Sequence, residues 1–186
     1  PMFTQSVAPL LAEKLPPENP VTIRTLKTIG IGETTVEQSI APALAEWIAV
    51  GLEIGYCARA GEVDVRLTAS GEGAADSIAQ AEAVVREKLG PQIYGVDDEQ
   101  LEEILIRQLT VSGQTLAVAE SCTGGLMAHR LTNVPGASAV FLAGHCTYSN
   151  EAKQNTLGVL SETLTEHGAV SEAIARQMAE GARAKH

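Results

Sequence analysis

The chain has 186 residues, of which 45% are hydrophobic and 19% are charged. This composition excludes a disordered chain, and the length is enough for one large core or two small domains. The formal net charge is −10, and nearly all of the acidic excess lies in residues 1–110. Because the chain has no basic stripe and only 3% aromatic residues, nucleic acid is not an expected partner.

The three cysteines, Cys57, Cys122 and Cys146, are too few and too scattered for a disulfide framework. They indicate reduced thiols and therefore a cytoplasmic protein. No apolar run approaches the roughly 20 residues that cross a bilayer, so a membrane is not an expected partner.

Residues 1–15 carry apolar side chains at helical spacing and predict a short helix. The stretch Pro16-Pro17-Glu18-Asn19-Pro20 then predicts an extended linker. We expect residues 1–20 to be the tail of an upstream domain with its linker, in a chain that is a fragment of a longer protein.

Residues 21–95 predict one domain with the order β-α-β-β-α-β, which is typical of a ferredoxin-like α+β fold. Alternating apolar positions indicate the strands, and apolar stripes at helical spacing indicate the helices. Thr34 and Glu37 have the spacing of a capping box, so the first helix is predicted to begin at Thr34 and to break at Pro42. The other predicted elements are the strands Val21–Ile29, Glu53–Ala58, Val63–Ala69 and Gln92–Tyr94 and the helix Ala74–Leu89.

An acidic helix is predicted over Asp97–Leu109, and residues 96–112 are expected to connect two domains. From Thr115 onward strands and helices alternate, which predicts a three-layer α/β domain with a parallel sheet. Because two strands do not make a stable sheet, residues 113–186 are expected to form only part of that domain. The predicted strands are Thr115–Ala119 and Val140–Thr147, and the predicted helices are Leu126–Val134, Glu151–Leu157 and one from Ser171 to the end.

A glycine-rich turn, Glu120-Ser121-Cys122-Thr123-Gly124-Gly125, lies between the first of these strands and the helix after it. Its glycines let a ligand approach the backbone, and free N–H groups of the turn and the helix start can hold a phosphate or an oxyanion. Taken alone, Ser121 or Thr123 is equally well explained as an ordinary helix N-cap. Cys122 is an alternative nucleophile, secondary to Ser121.

The next strand-to-helix junction, Thr147-Tyr148-Ser149-Asn150-Glu151-Ala152-Lys153, supplies a phenol and an amine. A serine hydroxyl is a poor nucleophile without a base, and a lysine can be that base where its surroundings disfavour its charge, as a helix N-terminus does. Taken singly, Tyr148 is typical of a half-buried strand residue and Lys153 of a surface lysine. Together with Ser121 they are the set of groups that an acyl-transfer enzyme uses. The histidines have no partners at metal-ligand spacing, so neither a metal nor a cofactor is expected.

The run Ala119–Gly125, followed by Thr147–Lys153 and by Leu157-Gly158-Val159, resembles the C-terminal domain of the CinA family, which is the nicotinamide-nucleotide amidase domain. Residues 21–95 are similar to the KH-like middle domain of full-length CinA proteins, and residues 1–15 to the end of their N-terminal domain. The resemblance implies that a small nucleotide, nicotinamide mononucleotide, is hydrolysed at its carboxamide to nicotinate mononucleotide and ammonia. It also implies a homodimer.

Carried over position by position, the resemblance implies that Ser121 is the nucleophile, Lys153 its base and Tyr148 an assisting hydroxyl. It further implies that the family's last strands and a later loop are missing from this chain, so the fragment is expected to build the pocket only in part. The amidase activity is therefore expected of the longer protein and stays open for this fragment. The substrate-binding residues implied are Glu120, Thr123, Gly124, Gly125 and Asn150.

A competing hypothesis is a non-catalytic KH-like scaffold or dimerisation module. A KH domain that binds RNA clamps the backbone with a Gly-x-x-Gly loop. The corresponding loops here, Gly30-Ile31-Gly32-Glu33 and Gly71-Glu72-Gly73, each carry an acid and have no basic flank. We therefore expect a scaffold role for residues 21–95, and RNA binding is the less favoured hypothesis.

Overall fold

The chain folds into two units, one ending at Glu99 and the other spanning Gln100–His186. The computed structural model describes residues 3–14, 19 and 21–186. Its first segment is a π-helical turn, Phe3–Val7, that continues into α1, Ala8–Lys14. The predicted proline linker lies outside the described residues except for Asn19. Across the described residues, no helix is both long and apolar enough to cross a membrane.

The first unit is built on a four-stranded antiparallel sheet with the strand order β2-β3-β1-β4. On β3 the side chains alternate, with Val63, Val65, Leu67 and Ala69 buried on the helix side. This is the predicted βαββαβ arrangement, which the structure confirms. The strands are β1 Val21–Ile29, β2 Glu53–Arg59, β3 Glu62–Ser70 and β4 Ile93–Val96.

The helices of the first unit cover one face of this sheet. The predicted break at Pro42 is confirmed, because a 3-10 turn, Pro42–Leu44, interrupts the helical segment. The predicted capping box at Thr34 is wrong: the helix begins at Glu33 after Gly32, which has extended backbone angles and makes no side-chain cap. The helices are α2 Glu33–Ile40, α3 Ala45–Ala49 and α4 Ala74–Leu89. The core between helices and sheet contains Leu26, Val36, Ile40, Leu44, Val65, Leu67, Ile78, Ala81 and Val85.

The helix predicted from Asp97 begins four residues later, as α5, Leu101–Ser112. Asp97 has a positive φ of 51° and binds back to β1: its carboxylate accepts a hydrogen bond from Thr25 N at 3.0 Å and pairs with Arg24. A capping box between Gln100 and Glu103 starts the helix instead. The start predicted at Asp97 is therefore wrong because this carboxylate has a tertiary partner.

The second unit contains two parallel strands with helices on both faces. Val118 of β5 packs with Leu131 and Ile106 on one face, whereas Ala117 and Ala119 pack against the other helical cluster. This is the predicted three-layer order. A short helix, Ser161–His167, was not anticipated from the sequence. The elements after α5 are β5 Leu116–Glu120, α6 Leu126–Thr132, β6 Phe141–Cys146, α7 Asn150–Leu157, α8 Ser161–His167 and α9 Glu172–Lys185.

Two glycines let elements of the second unit approach each other closely. A Cβ on Gly144 of β6 would lie 2.7 Å from Ala128 Cβ, and a Cβ on Gly181 of α9 would lie 2.0 Å from the carbonyl oxygen of Leu157. The second contact places α9 directly against the end of α7.

Candidate active site

The two sequence motifs meet at the carboxyl ends of β5 and β6. Because the strands are parallel neighbours, with Glu120 opposite Cys146, both strand ends reach the same edge of the sheet. A further hydrogen bond, from Thr147 N to the carbonyl oxygen of Glu120 at 2.9 Å, extends this pairing past the end of β6. A site at this edge is where ligands of parallel α/β sheets are generally bound.

The centre of the site is a contact between Lys153 and Ser121. Lys153 is only 1% exposed, although lysine is among the residues least often buried. Its Nζ lies 2.9 Å from Ser121 Oγ, 2.8 Å from the carbonyl oxygen of Thr147 and 3.0 Å from that of Tyr148. The tertiary structure therefore brings the predicted nucleophile and the predicted base into direct hydrogen-bond contact.

The three contacts of Lys153 occupy all three positions around Nζ that are not bonded to carbon. An ammonium group would donate one hydrogen to each of the three oxygens. A neutral amine has two hydrogens and one lone pair; the carbonyls of Thr147 and Tyr148 accept only, so the lone pair is left to face the Ser121 hydroxyl. In the neutral form, the two carbonyls would leave the lone pair of the amine directed at the Ser121 hydroxyl.

Glu120, the residue before Ser121, is 3% exposed and caps the start of α6. Its Oε1 accepts a hydrogen bond from Ala128 N at 2.9 Å, and its Oε2 accepts one from Met127 N at 3.0 Å. Burial raises the pKa of Glu120, but hydrogen bonds from Ala128, Met127, Thr123 and Gly125 outweigh it and hold the pKa below its ordinary value. The carboxylate is therefore ionised and ties the end of β5 to α6.

This cap changes the expectation that the N–H groups at the helix start are free for a ligand. Those of Met127 and Ala128 are occupied by the Glu120 carboxylate, so that part of the prediction is wrong. Within the turn, Gly124 N donates to the carbonyl oxygen of Ser121 at 3.0 Å. In the part of the chain that the structure describes, the N–H groups of Cys122 and Thr123 donate no hydrogen bond and remain available.

The glycines of the turn have a backbone role. Gly124 and Gly125 have φ values of 62° and 92°, a region that other residues rarely adopt. These angles reverse the chain between β5 and α6. The substrate contacts that the resemblance implies for both glycines and for the exposed Thr123 stay predictions.

Tyr148 contacts Lys153 through its backbone, whereas its side chain is 74% exposed. Asn150 is the first residue of α7 and is exposed. Two residues that the sequence analysis did not single out support the site: the carbonyl of Thr147, and Ser149, whose Oγ accepts a hydrogen bond from Ala152 N at 3.0 Å and caps α7. The preference for serine at an N-cap could have identified Ser149, but a backbone carbonyl leaves no trace in a sequence.

Among the described residues, no group of three or more histidine, cysteine, aspartate or glutamate side chains is placed to hold a metal ion. His145 and His186 do come together, with their Nε2 atoms 3.0 Å apart, on β6 and at the end of α9. The three cysteines are exposed and free.

Two family models match the chain. The KH domain of the damage-inducible protein CinA matches residues 23–95, and the CinA C-terminal domain matches residues 98–186. A competence-damage inducible protein from Caldanaerobacter subterraneus is 47% identical over 188 residues, covering 98% of this chain and 44% of that protein. A CinA-like protein from Akkermansia muciniphila is 42% identical over 182 residues, covering 98% of this chain and 42% of that protein.

The chain also matches the crystal structure of the competence/damage inducible protein CihA from Agrobacterium tumefaciens, with 49% sequence identity and a TM-score of 0.44. The match covers 45% of this chain and 51% of the CihA chain. The chain spans less than half the length of the curated relatives it matches.

Proposed function

The chain belongs to the CinA family, and on that premise we propose that its second unit hydrolyses the carboxamide of nicotinamide mononucleotide to nicotinate mononucleotide and ammonia. The observation that carries the proposal is the 2.9 Å contact between Lys153 Nζ and Ser121 Oγ. A serine paired with a buried amine is an activated nucleophile, and an amide carbonyl is a substrate that such a nucleophile attacks. The substrate itself comes from the family resemblance.

The first half of the proposed reaction forms an ester on Ser121. Ser121 Oγ bonds to the carboxamide carbon while the Lys153 amine takes the hydroxyl proton. The negative charge passes to the carbonyl oxygen, for which the N–H groups of Cys122 and Thr123 are the available donors. Lys153 then returns the proton to the amide nitrogen, the carbon–nitrogen bond breaks, and ammonia leaves.

The second half of the reaction releases the acid. A water molecule attacks the ester carbon while the neutral Lys153 amine accepts its proton. Lys153 then gives this proton to Ser121 Oγ as the carbon–oxygen bond breaks, which restores the starting state and leaves the nicotinate carboxyl group. The same nitrogen serves as base and acid in both halves, which is consistent with its contact to Ser121.

The direct test is ammonia release from nicotinamide mononucleotide. We expect turnover by the parent chain and none above background by Ser121→Ala. Ser138→Ala, which removes an exposed serine of the same unit, is the matched control and should turn over like the parent. Parent-like ammonia release by Ser121→Ala would disprove the serine mechanism.

For the first unit we propose a scaffold or dimerisation role rather than RNA binding. Basic side chains on its sheet are engaged by carboxylates: Arg59 donates two hydrogen bonds to Asp64 at 2.8 and 2.9 Å, and Lys27 lies 3.8 Å from the same carboxylate. A phosphate backbone would have to displace these pairs. RNA binding at modest salt by a chain that lacks amidase activity would reverse this ranking.

A further inference from the structure

The sheet of the first unit ends on one side in β2, Glu53–Arg59. Among the described residues, β2 pairs with β3 alone, so the N–H and carbonyl groups along its outer side have no strand partner. Most side chains of β2 are exposed, whereas those of β3 alternate between buried and exposed positions. Because an open sheet edge is a template for a further strand, β2 is a candidate contact surface.

The two edges of this sheet differ in how they are protected. Proteins usually block an open edge by keeping the strand short, by a bulge, or with lysine or proline. The edge strand β4 follows this pattern, because it has four residues and its register with β1 shifts between Lys27 and Thr28. In contrast, β2 has seven residues in regular register with β3, and it contains neither lysine nor proline. The edge at β2 therefore lacks the usual barriers to strand pairing.

The charges of β2 indicate which strand fits it. Glu53 is its first residue, Arg59 its last, and Tyr56 lies midway between them. If two copies of β2 pair antiparallel about Tyr56, all residues of the strand are paired and each Glu53 lies opposite Arg59 of the second copy. Opposite charges directly across an antiparallel pair stabilise it. A slip by one residue would turn the side chains to the wrong face, and a slip by two would separate the charges. The strand is therefore complementary to a second copy of itself.

The side chains of β2 permit this pairing. The hydrogen bonds of Arg59 to Asp64 both run from Nη2, and the Arg59 side chain is 49% exposed. A guanidinium group has five N–H donors, so Nε and Nη1 can serve a carboxylate of the second copy while Asp64 stays bound. Between the charged ends, Gly55 of one copy would lie opposite Cys57 of the other, which leaves room for the thiol.

We propose that β2 is the contact surface of a homodimer, in which the sheets of two copies join edge to edge into one continuous antiparallel sheet. This inference rests on the dimerisation role proposed for the first unit and specifies its surface and register. The proposed amidase reaction plays no part in it.

The register is tested by Gly55→Cys. A Cβ at this position would meet only Arg66 Cβ, at an ordinary contact distance of 3.8 Å, so the strand accepts the change. Directly opposite residues have Cβ atoms about 4.5–5.5 Å apart, close to the roughly 3.5–4.5 Å of a disulfide. With oxidised glutathione as the electron acceptor, we expect the new thiol to form a disulfide with Cys57 of the second copy. All chains carry Cys122→Ser and Cys146→Ser, because both cysteines are exposed and free.

Two matched chains show whether this disulfide reports the register. In the chain with Cys57 alone, and in Gly55→Cys/Cys57→Ser, the two thiols of the dimer would lie diagonally across the strands, about 7–8 Å apart between Cα atoms. Neither chain should give a covalent dimer on a non-reducing gel, whereas Gly55→Cys should give one, and peptide mapping should locate its disulfide between positions 55 and 57.

The charge pairing is tested by Glu53→Arg, which would place two arginines opposite each other at both ends of the paired strands. We expect the dimer dissociation constant, measured by sedimentation equilibrium at low salt, to rise by about tenfold or more. Glu72→Arg makes the same charge change at an exposed position outside β2 and should keep the parent value. Parent-like urea midpoints for both variants would show that their folds are intact.

The outcomes separate this inference from the broader dimerisation role. A parent chain that stays monomeric at every concentration overturns both. If the parent is a dimer but Gly55→Cys forms no disulfide with Cys57, or Glu53→Arg and Glu72→Arg dissociate alike, the β2 interface is wrong and the dimer uses another surface. A disulfide between positions 55 and 57, together with weaker association of Glu53→Arg alone, supports the interface.

Discussion

Replacing Glu120 by glutamine tests whether this residue holds the glycine-rich turn in place or contacts the proposed substrate. The carboxylate accepts hydrogen bonds from Met127 N and Ala128 N, one on each oxygen. Glutamine keeps one acceptor oxygen and turns an NH2 group toward the other N–H. The variant therefore loses one charge-assisted hydrogen bond and leaves one N–H of α6 without an acceptor.

The expected loss follows from these two contacts. A hydrogen bond to a charged group contributes about 1.5–3 kcal/mol, and an unsatisfied buried donor adds about 1–3 kcal/mol, so we expect destabilisation by about 2.5–6 kcal/mol. With a urea dependence near 1 kcal/mol per M for a unit of this size, the midpoint should fall by about 2 M or more. Circular dichroism measures this shift, and faster hydrogen exchange in residues 126–132 localises it. Glu151→Gln, at an exposed carboxylate in the first turn of α7, is the matched control and should shift little.

The same carboxylate predicts a pH dependence. Because the pKa of Glu120 is lower in the folded chain than its ordinary value of 4.5, its contribution to stability is present above that value. It is lost as the pH falls through the lower folded pKa, where the folded carboxylate becomes protonated. Glu120→Gln lacks this contribution, so its stability should decline less steeply in acid than that of the parent. A parent midpoint for Glu120→Gln, together with a raised KM for nicotinamide mononucleotide, would refute the capping role and favour a substrate contact.

Three further predictions concern Lys153, Tyr148 and Gly181. Lys153→Met removes the amine from beside Ser121 and should lower ammonia release by about 10²–10⁴-fold, because a general base usually contributes that much. A loss of less than tenfold would contradict the role of Lys153 as the base. Tyr148→Phe keeps the carbonyl that holds Lys153, so we expect less than a tenfold loss in turnover; a loss near 10²-fold or more would assign proton transfer to the phenol. Gly181→Ala places a Cβ 2.0 Å from the Leu157 carbonyl oxygen, so α9 must shift. Although alanine is the better helix former, the urea midpoint should fall by an amount equivalent to about 1–3 kcal/mol. Glu180→Ala is the neighbouring control, and an unchanged midpoint for Gly181→Ala would contradict the contact.

Most of the fold could be predicted because its elements have strong local patterns. The alternation in β1 and β3 and the apolar stripe of α4 gave boundaries within one residue of those observed. The errors lie where a tertiary partner overrides a local signal. Asp97 is a residue type that helix starts favour, but its carboxylate accepts a hydrogen bond from Thr25 N and does not begin the helix. Thr34 has capping-box spacing, but Gly32 already supplies the extended residue that begins α2.

The candidate site divides in the same way. The sequence by itself determined which reactive groups are present and, through the β-α alternation, that Ser121 and Lys153 each follow a strand of a parallel sheet. It could not determine distances, because a strand order says nothing about side-chain torsions. Only the tertiary structure decided that the amine is buried against Ser121 Oγ, that the carbonyls of residues 147 and 148 orient it, and that Glu120 is occupied by α6. The physical reason is that local patterns fix which face of an element a residue occupies, whereas a contact such as that of Lys153 with Ser121, 32 residues apart, forms only when the chain has closed around it.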